Sequence, residues 1–299
     1  MAKSDRSGAV LIVLMAGVLF GTTGTARVLS DVEASSTSIA AARLGIGALG
    51  LMAVTIYSRG LSELVMLWKR PRVWVMGLSV ASYMASFFAA VQLAGAAVAS
   101  LVSISLAPML AGTIARMFGK PWPGRVWVVS TVLAVVGVVL LSAPTSNDGG
   151  DHRVLGACSA AIAAASYAFY TVVGARLVDD GHHATDGLSA SFSIGAVVLL
   201  PFIFMDSAWL TTPKGIALAL WLGLASTTIS YMMFGVGITH LAPGVVATLL
   251  LSEPFVATMF GIFLLGEPMA PRGWFGCLLI IIGLLMVSHN ESRNQSPAV

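Results

Sequence analysis

Ten long apolar stretches run through this 299-residue chain, each near the roughly 20 residues that a helix needs to cross a bilayer. No other feature narrows the fold as far. Lipid offers the backbone no hydrogen bonds, so only helices and closed barrels span membranes. Barrel strands would show as segments of about ten alternating residues. The runs here are continuous, which predicts helices at about 8–27, 36–58, 72–92, 95–117, 125–143, 154–177, 186–206, 215–238, 243–265 and 272–289. Charged residues make up only 10% of the chain, against about 25% in a soluble domain. The expected fold class is an all-α polytopic membrane protein with little soluble mass.

The net charge of +3 does not point to nucleic acid, because the basic residues sit between the spans. With the N-terminus inside, eleven Lys and Arg fall on that side and four on the other, while Arg43 lies within a span. That bias predicts both termini in the cytoplasm, and nearly all of it comes from the first half. The tryptophans, Trp68, Trp74, Trp122, Trp127, Trp209, Trp221 and Trp274, fall near span ends, as an interfacial belt requires. Gly60–Arg70 reads as a short amphipathic piece on the cytoplasmic surface. Cys158 and Cys277 fall inside spans and are expected as free thiols. The first stretch, Gly8–Ala26, is longer than a signal-peptide core. The tail after Ser288 is polar and expected to be disordered.

The chain repeats itself. Tyr83-Met84 matches Tyr231-Met232 and Leu93-Ala94 matches Leu241-Ala242, 148 residues apart. Gly119-Lys120-Pro121 matches Gly266-Glu267-Pro268 and Trp127 matches Trp274 at 147; Phe20 matches Phe169 and Ala26-Arg27 matches Ala175-Arg176 at 149. Spans one to five therefore recur as six to ten. Five is odd, so the second copy enters from the opposite side. This predicts ten transmembrane helices as two inverted five-helix repeats, residues 1–146 and 154–299, joined by a linker at 147–153, with Ser146–Asp151 its most linker-like piece. Inverted repeats place a substrate site near the midplane between the halves.

The ninth span carries the run LSEPFVATMFGIFLLGE, with Glu253 near the middle of a greasy helix and Pro254 directly after it. An acid at a bilayer's centre costs about 2.5–3.5 kcal/mol on insertion scales. The proline frees a carbonyl one turn earlier, which a neighbouring helix or a wet cavity must satisfy. With its ten spans, its five-plus-five repeat and this run, the chain resembles the drug/metabolite transporter superfamily in its EamA-domain branch, over nearly its whole length. Within the branch it is most similar to the bacterial aromatic amino-acid exporters of the YddG type. The first repeat departs from the pattern: Ile104-Ser105-Leu106-Ala107-Pro108 keeps a proline without the acid, and Lys120 replaces the second glutamate.

The resemblance implies alternating-access export of small organic solutes, above all neutral and aromatic amino acids, across the bacterial inner membrane. A drug or nucleotide-sugar carrier of the same superfamily is the alternative within transport, and a non-transporting membrane binding or assembly protein is the alternative outside it. No P-loop, paired catalytic carboxylates or Ser–His nucleophile arrangement is present in the sequence, so no enzyme, cofactor or metal is expected. Gly45–Gly50 fits G-x-G-x-x-G but lies mid-span, without the strand and acid of a dinucleotide site. His182-His183, among Asp179, Asp180 and Asp186, reads as a solvated loop. The expected partners are the solute and the bilayer. A five-plus-five chain holds a complete pathway, which favours a functional monomer.

Each candidate substrate-binding residue has a structural alternative. Glu253 suits a substrate ammonium or a proton, or a bond to the helix opposite. Arg43 suits a substrate carboxylate, or an interfacial or paired position. In span three, Ser79, Ser82 and Ser86 share a face beside Tyr83 and Phe87; in span eight the related positions are Thr227, Ser230 and Tyr231. Phe20 on span one, and Tyr167 and Tyr170 on span six, add aromatic surface. Small polar faces also serve plain helix packing. The rows Ala96, Ser100, Ile104 and Gly244, Thr248, Ser252 are read as close-packing seams, and Glu267 as a boundary residue.

Overall fold

The computed structural model describes residues 5–142, 153–266 and 268–293. The linker expected at 147–153 lies outside these residues except for Arg153, as does Glu267. The described chain is helical throughout. In order come α1 (Asp5–Ser30), α2 (Ser36–Arg59), the short α3 (Leu61–Trp68), α4 (Pro71–Ala94), α5 (Ala96–Met117), α6 (Arg125–Ser142), α7 (Arg153–Asp179) and α8 (Ala184–Met205). The eighth span is α9 (Pro213–Leu220), a π-helical stretch (Trp221–Ile229) and α10 (Ser230–His240). The ninth is α11 (Pro243–Leu249) and α12 (Ser252–Leu265), and α13 (Pro271–Arg293) closes the chain. Nine of the described helical segments are long and apolar enough to cross a membrane, and Arg125–Leu141 is a shorter apolar helix. This is a multi-pass membrane protein.

Local chemistry sets the element ends. Prolines open α4, α9 and α11, where the missing N–H leaves nothing unpaired. Ser35 caps α2 by accepting from Ser38 N, and Thr212 caps α9 by accepting from Gly215 N. Gly95, at φ 84°, is the single residue between α4 and α5; a side chain there would be strained in that conformation.

The packing obeys an inverted two-fold relation. Helix α7, the sixth span, lies against α4 and α5, the third and fourth. Helix α1, the first span, lies against α10 and α12, which belong to the eighth and ninth. The self-related pairs α2–α8 and α6–α13 complete the bundle. Seams between helices are made by small residues: a Cβ on Gly137 of α6 would stand 2.6 Å from the Gly276 carbonyl of α13, and the reverse holds equally. In lipid such close approach, rather than exclusion of water, holds helices together.

Ion pairs and capping bonds sort the connections into two faces. Arg6 meets Glu291 at 3.8 Å, which puts both termini on one face. Arg59 with Asp186 (3.2 Å), Lys120 with Asp179 (2.6 Å), Glu63 with His182 (3.6 Å), and Arg72 with Asp180 tie the loops of this termini face together. On the far face Ser35 N donates to Asp206 Oδ2 (2.6 Å) and Lys214 approaches Asp31 (3.8 Å).

Three expectations change. Trp127 and Trp209 are buried and do not belong to an interfacial belt, because each indole N–H finds a hydroxyl inside the bundle: Thr248 Oγ1 at 3.0 Å and Ser38 Oγ at 2.9 Å. The last helix runs past Ser288 to Arg293, where Glu291 is buried beside Arg6. The short piece after Gly60 is the helix α3, but Leu64 and Leu67 are fully buried and Trp68 Nε1 donates to Ser193 Oγ (3.0 Å), so it is docked on α8 as well as lying at the surface.

Candidate functional site

A cavity of about 160 Å³ opens between the two repeats, halfway through the bundle. Phe20 of α1, Arg43 of α2, Tyr83 and Phe87 of α4, Tyr167 and Tyr170 of α7, Tyr231 of α10 and Glu253 of α12 all line it. These residues come from six spans, yet the inverted pairing of α1 with α12 and α7 with α4 brings them to one place.

Spacing explains most of the wall. Tyr83 and Phe87 are four apart on α4, so they share a face, with ring centroids 6.1 Å apart. Tyr83 meets Tyr167 edge-on at 6.1 Å, and Tyr167 meets Tyr170 at 5.1 Å. On the other side Phe20 stands edge-on to Tyr231 at 5.1 Å. Below them, toward the termini face, Tyr231, Phe192 and Phe234 pack at 4.4–5.6 Å, and Tyr170 Oη lies 3.2 Å from Tyr231 Oη. Tyr170, Phe192 and Phe234 are buried, as are Val245, Val246 and Leu249 of α11. The cavity is therefore sealed toward the termini face. Toward the far face Phe87, Phe88, Ser100 and Leu101 are partly exposed, and so is every residue of α12 from Glu253 to Phe260. Residues on all sides of α12 keep some access, so this helix is packed less closely than the layer that seals the termini face.

Two opposite charges share this cavity. Arg43 Nε donates to Thr227 Oγ1 (2.9 Å) and its Nη2 to Ser226 O (3.3 Å), while its Cζ lies 6.0 Å from the Phe20 ring. Glu253 stands in the first turn of α12, where the helix dipole favours a negative charge. Both line the cavity, and no ion pair joins them among the described residues.

The ninth span also settles where the proline's freed carbonyl goes. Leu250 O has no N–H from Pro254 to accept, and instead takes Glu253 N at 2.9 Å. The helix breaks at Leu250-Leu251 and restarts as α12. The carbonyl is satisfied within the span itself and needs neither a neighbouring helix nor a wet cavity.

Three expected site residues stand elsewhere. Ser79 and Ser82 lie in a separate open groove among α4, α5 and α7, because the face one step round from Tyr83 points at α7; Ser82 Oγ lies 3.0 Å from Ser166 Oγ. Thr227 is 2% exposed and lies behind Arg43, off the main cavity wall. Conversely Ser100 and Ile104, read as a packing seam, line the cavity, as do Met84, Ser103, Ala107 and Phe234. The equivalent Gly244 and Thr248 do form a seam: Trp127 Nε1 donates to Thr248 Oγ1, Thr131 Oγ1 lies 2.8 Å from it, and a Cβ on Gly244 would meet Trp127 at 2.8 Å. The π-helical stretch is new; its only trace in the sequence is the hydroxyl-rich Ser226-Thr227-Thr228 after Gly223. The Gly45–Gly50 pattern is a helix seam, for a Cβ on Gly47 would lie 2.8 Å from Thr227 Cβ.

The EamA-like transporter family matches this sequence twice, at residues 7–143 and again at 154–289. The chain belongs to the EamA-like transporter family. It is 35% identical over 288 residues to the uncharacterized transporter YwfM of Bacillus subtilis (strain 168), covering 96% of this chain and 95% of that one. It is 28% identical over 151 residues to the threonine/homoserine exporter RhtA of Escherichia coli (strain K12), covering 49% of this chain and 48% of RhtA. A solved crystal structure with 21% sequence identity superposes with a TM-score of 0.81, over 97% of this chain and 100% of that one, a likeness of fold. This is a membrane transporter.

Proposed function

We propose that this transporter exports neutral amino acids, aromatic ones above all, across the bacterial inner membrane by alternating access. One observation carries the reading: Arg43 and Glu253 line the same cavity and are not paired with each other. A zwitterion would set its carboxylate at Arg43 and its ammonium at Glu253. Tyr83, Phe87, Tyr167 and Phe20 offer the side chain an aromatic enclosure. The cavity's volume of about 160 Å³ is close to the roughly 150 Å³ of a protein cavity that holds benzene. A nucleotide sugar, with two phosphates, fits poorly, since Arg43 is the one cationic side chain in the wall among the described residues.

The proposed cycle starts from a state sealed by Tyr170, Tyr231, Phe192 and Phe234 toward the termini face, with α12, the more loosely packed side, leading toward the far face. The excess of Lys and Arg on the termini face supports a cytoplasmic placement for it, so the far face is the outer one. The repeats at 1–146 and 154–299 would rock about the cavity. We take movement as downhill: Glu253 is the one acid in the cavity wall among the described residues, so a driving proton would have to compete with the substrate ammonium for that single site.

The test is efflux of labelled phenylalanine and threonine from proteoliposomes, with and without a pH gradient. Saturable efflux of phenylalanine, lost in Arg43→Gln, is expected. Accumulation against a gradient only under an imposed ΔpH would overturn downhill movement. The name of RhtA favours a second reading, small hydroxylated amino acids, and Tyr167 Oη is buried without a partner beside the cavity. Threonine moving far faster than phenylalanine would select it. Rates equal to empty-lipid controls across a broad panel would favour a non-transporting role.

A further inference from the structure

In the α-helices of this protein serine and threonine hydroxyls commonly donate to the carbonyl four residues back, as Thr113 does to Met109 O, Thr171 to Tyr167 O and Thr248 to Gly244 O. Around the π-helical stretch the step is five. Thr227 Oγ1 donates to Leu222 O (2.8 Å), Thr228 Oγ1 to Gly223 O (3.0 Å) and Ser230 Oγ to Ala225 O (3.0 Å). These bonds hold the wider turn open from the side-chain layer. Such turns are rare and are frequently found at functional sites.

The wider turn carries Thr227 onto α2. Gly47 leaves the room, one helical turn beyond Arg43 on the same face. Because the Thr227 proton goes to Leu222 O, its oxygen is left to accept, and Arg43 Nε donates to it at 2.9 Å. Arg43 Nη2 reaches the carbonyl of the preceding residue, Ser226, at 3.3 Å. Ser226 is itself tied to α1 by Thr23 Oγ1 at 2.8 Å. Both of the guanidinium's protein acceptors thus belong to one short stretch of the eighth span. A guanidinium is planar with five N–H donors in a fixed fork. When Nε and Nη2 are held, the plane is set, and the N–H groups of Nη1, which have no protein acceptor among the described residues, are left for the cavity that Arg43 lines.

We infer that Thr227 is a positioning residue: from the π-helical stretch it fixes the Arg43 guanidinium in a pose that receives a carboxylate, and so sets selectivity for solutes that carry one. The inference rests on the amino-acid reading above. Fixing the fork before the solute arrives removes an ordering cost from binding. The π-helical stretch holds Arg43 from behind, and Phe20 covers one flank.

The experiment compares phenylalanine with 2-phenylethylamine, the same molecule without its carboxylate, in proteoliposomes of wild type, Thr227→Val, Thr227→Ser and Arg43→Gln. Thr227→Val keeps the shape and loses the hydroxyl. It is expected to raise the half-saturating phenylalanine concentration about tenfold, the loss of one hydrogen bond to a charged group. The maximal rate and the inhibition constant of phenylethylamine should each stay within about twofold, and Thr227→Ser should restore phenylalanine affinity. Thr227→Cys replaces the valine variant if that variant does not fold. Equal loss of affinity for both solutes, or a fall in maximal rate alone, would mean that Thr227 acts only in packing. Unchanged phenylalanine affinity in Thr227→Val, with a loss in Arg43→Gln, would mean that Arg43 reads the carboxylate unaided; either result overturns the inference and leaves the amino-acid reading standing. If wild type neither moves phenylalanine or threonine nor is stabilised by them in a thermal-shift assay, the amino-acid reading itself falls, and the inference falls with it.

Discussion

Helix α5 and the pair α11–α12 are the same span of the two repeats, yet the bundle holds them differently. Helix α5 runs unbroken from Ala96 to Met117 through Pro108, and its Ser100 and Ile104 face the cavity. Its counterpart breaks at Leu250-Leu251, and Thr248, the equivalent of Ser100, is gripped by Trp127 and Thr131. The residue that would grip Ser100 by symmetry is Trp274, which stands 52% exposed on α13. The first spans differ as well. At the offset of 149 residues, Gly17 and Gly21 of α1 answer to Ser166 and Tyr170 of α7. The glycines let α1 lie directly on Ser252 and Val256 of α12, whereas Tyr170 fills space beneath the cavity. Two copies of one plan are thus packed differently: the termini-face end is clasped by Trp127 and Thr131, and the matching end lacks the clasp. On the proposed alternating-access cycle, that asymmetry is what would invert between states.

The largest expected effect comes from spoiling the close seam between α1 of the first repeat and α12 of the second. A Cβ at Gly21 would stand 2.9 Å from Val256 Cβ and 3.0 Å from Glu253 O. Gly21→Leu should therefore push α1 off α12, costing about 1–3 kcal/mol or more, read as a fall in melting temperature and loss of transport. Gly45→Ala, with open space around it, should do neither; equal damage from both would mean that the seam is not what matters.

Next comes the acid that only the second repeat carries. Glu253→Gln should lower amino-acid efflux about 10- to 100-fold, as expected for loss of a hydrogen bond to a charged group worth about 1.5–3 kcal/mol. Adding Ser105→Glu, the symmetric position, should not restore it, because Ser105 Oγ is buried without a partner and is not part of the cavity wall. Full efflux with an unchanged pH response in Glu253→Gln would make the acid structural.

A smaller effect should follow from loosening the clasp. Trp127→Phe removes the bond to Thr248 inside the bundle, where an unmade hydrogen bond costs about 1–3 kcal/mol. With Cys158 and Cys277 replaced by alanine, a cysteine at Ala247 should then react faster with a thiol reagent added at the termini face. If its labelling does not change, Trp127 does not hold that end closed. The smallest effect belongs to Trp274→Phe. An exposed indole change should stay within about 0.5 kcal/mol and leave labelling as in wild type. A shift as large as that of Trp127→Phe would contradict the asymmetry.

How much of this could be read from the chain alone differs from residue to residue. Tyr83, Phe87, Tyr167, Tyr170, Tyr231, Phe20, Arg43 and Glu253 were legible because polar and aromatic groups stand out in apolar spans. Ser79 and Ser82 stand out equally, and face another way. The reason is that a membrane helix is apolar on its lipid side as well as its packed side, so the pattern of hydrophobicity does not say which way a face points. Ser100 and Thr248 look alike in sequence for the same reason, though one lines the cavity and the other is clasped. The π-helical stretch is not legible in the sequence because its five-residue step is made by hydroxyl–carbonyl bonds, whose register no spacing announces.

The sequence by itself determined that the chain crosses a membrane as helices, because about twenty apolar residues in lipid have no other way to satisfy their backbone. It also determined that the second five spans repeat the first in inverted sense, because five is odd. Only the tertiary structure decided which face of each helix meets the cavity, that the ninth span breaks with Leu250 O bonded to Glu253 N, that Arg43 is held by Thr227, and that Trp127 clasps Thr248 while Trp274 leaves Ser100 free. Those choices depend on contacts between spans far apart in the chain, and in an inverted repeat equivalent residues meet different neighbours in any one state.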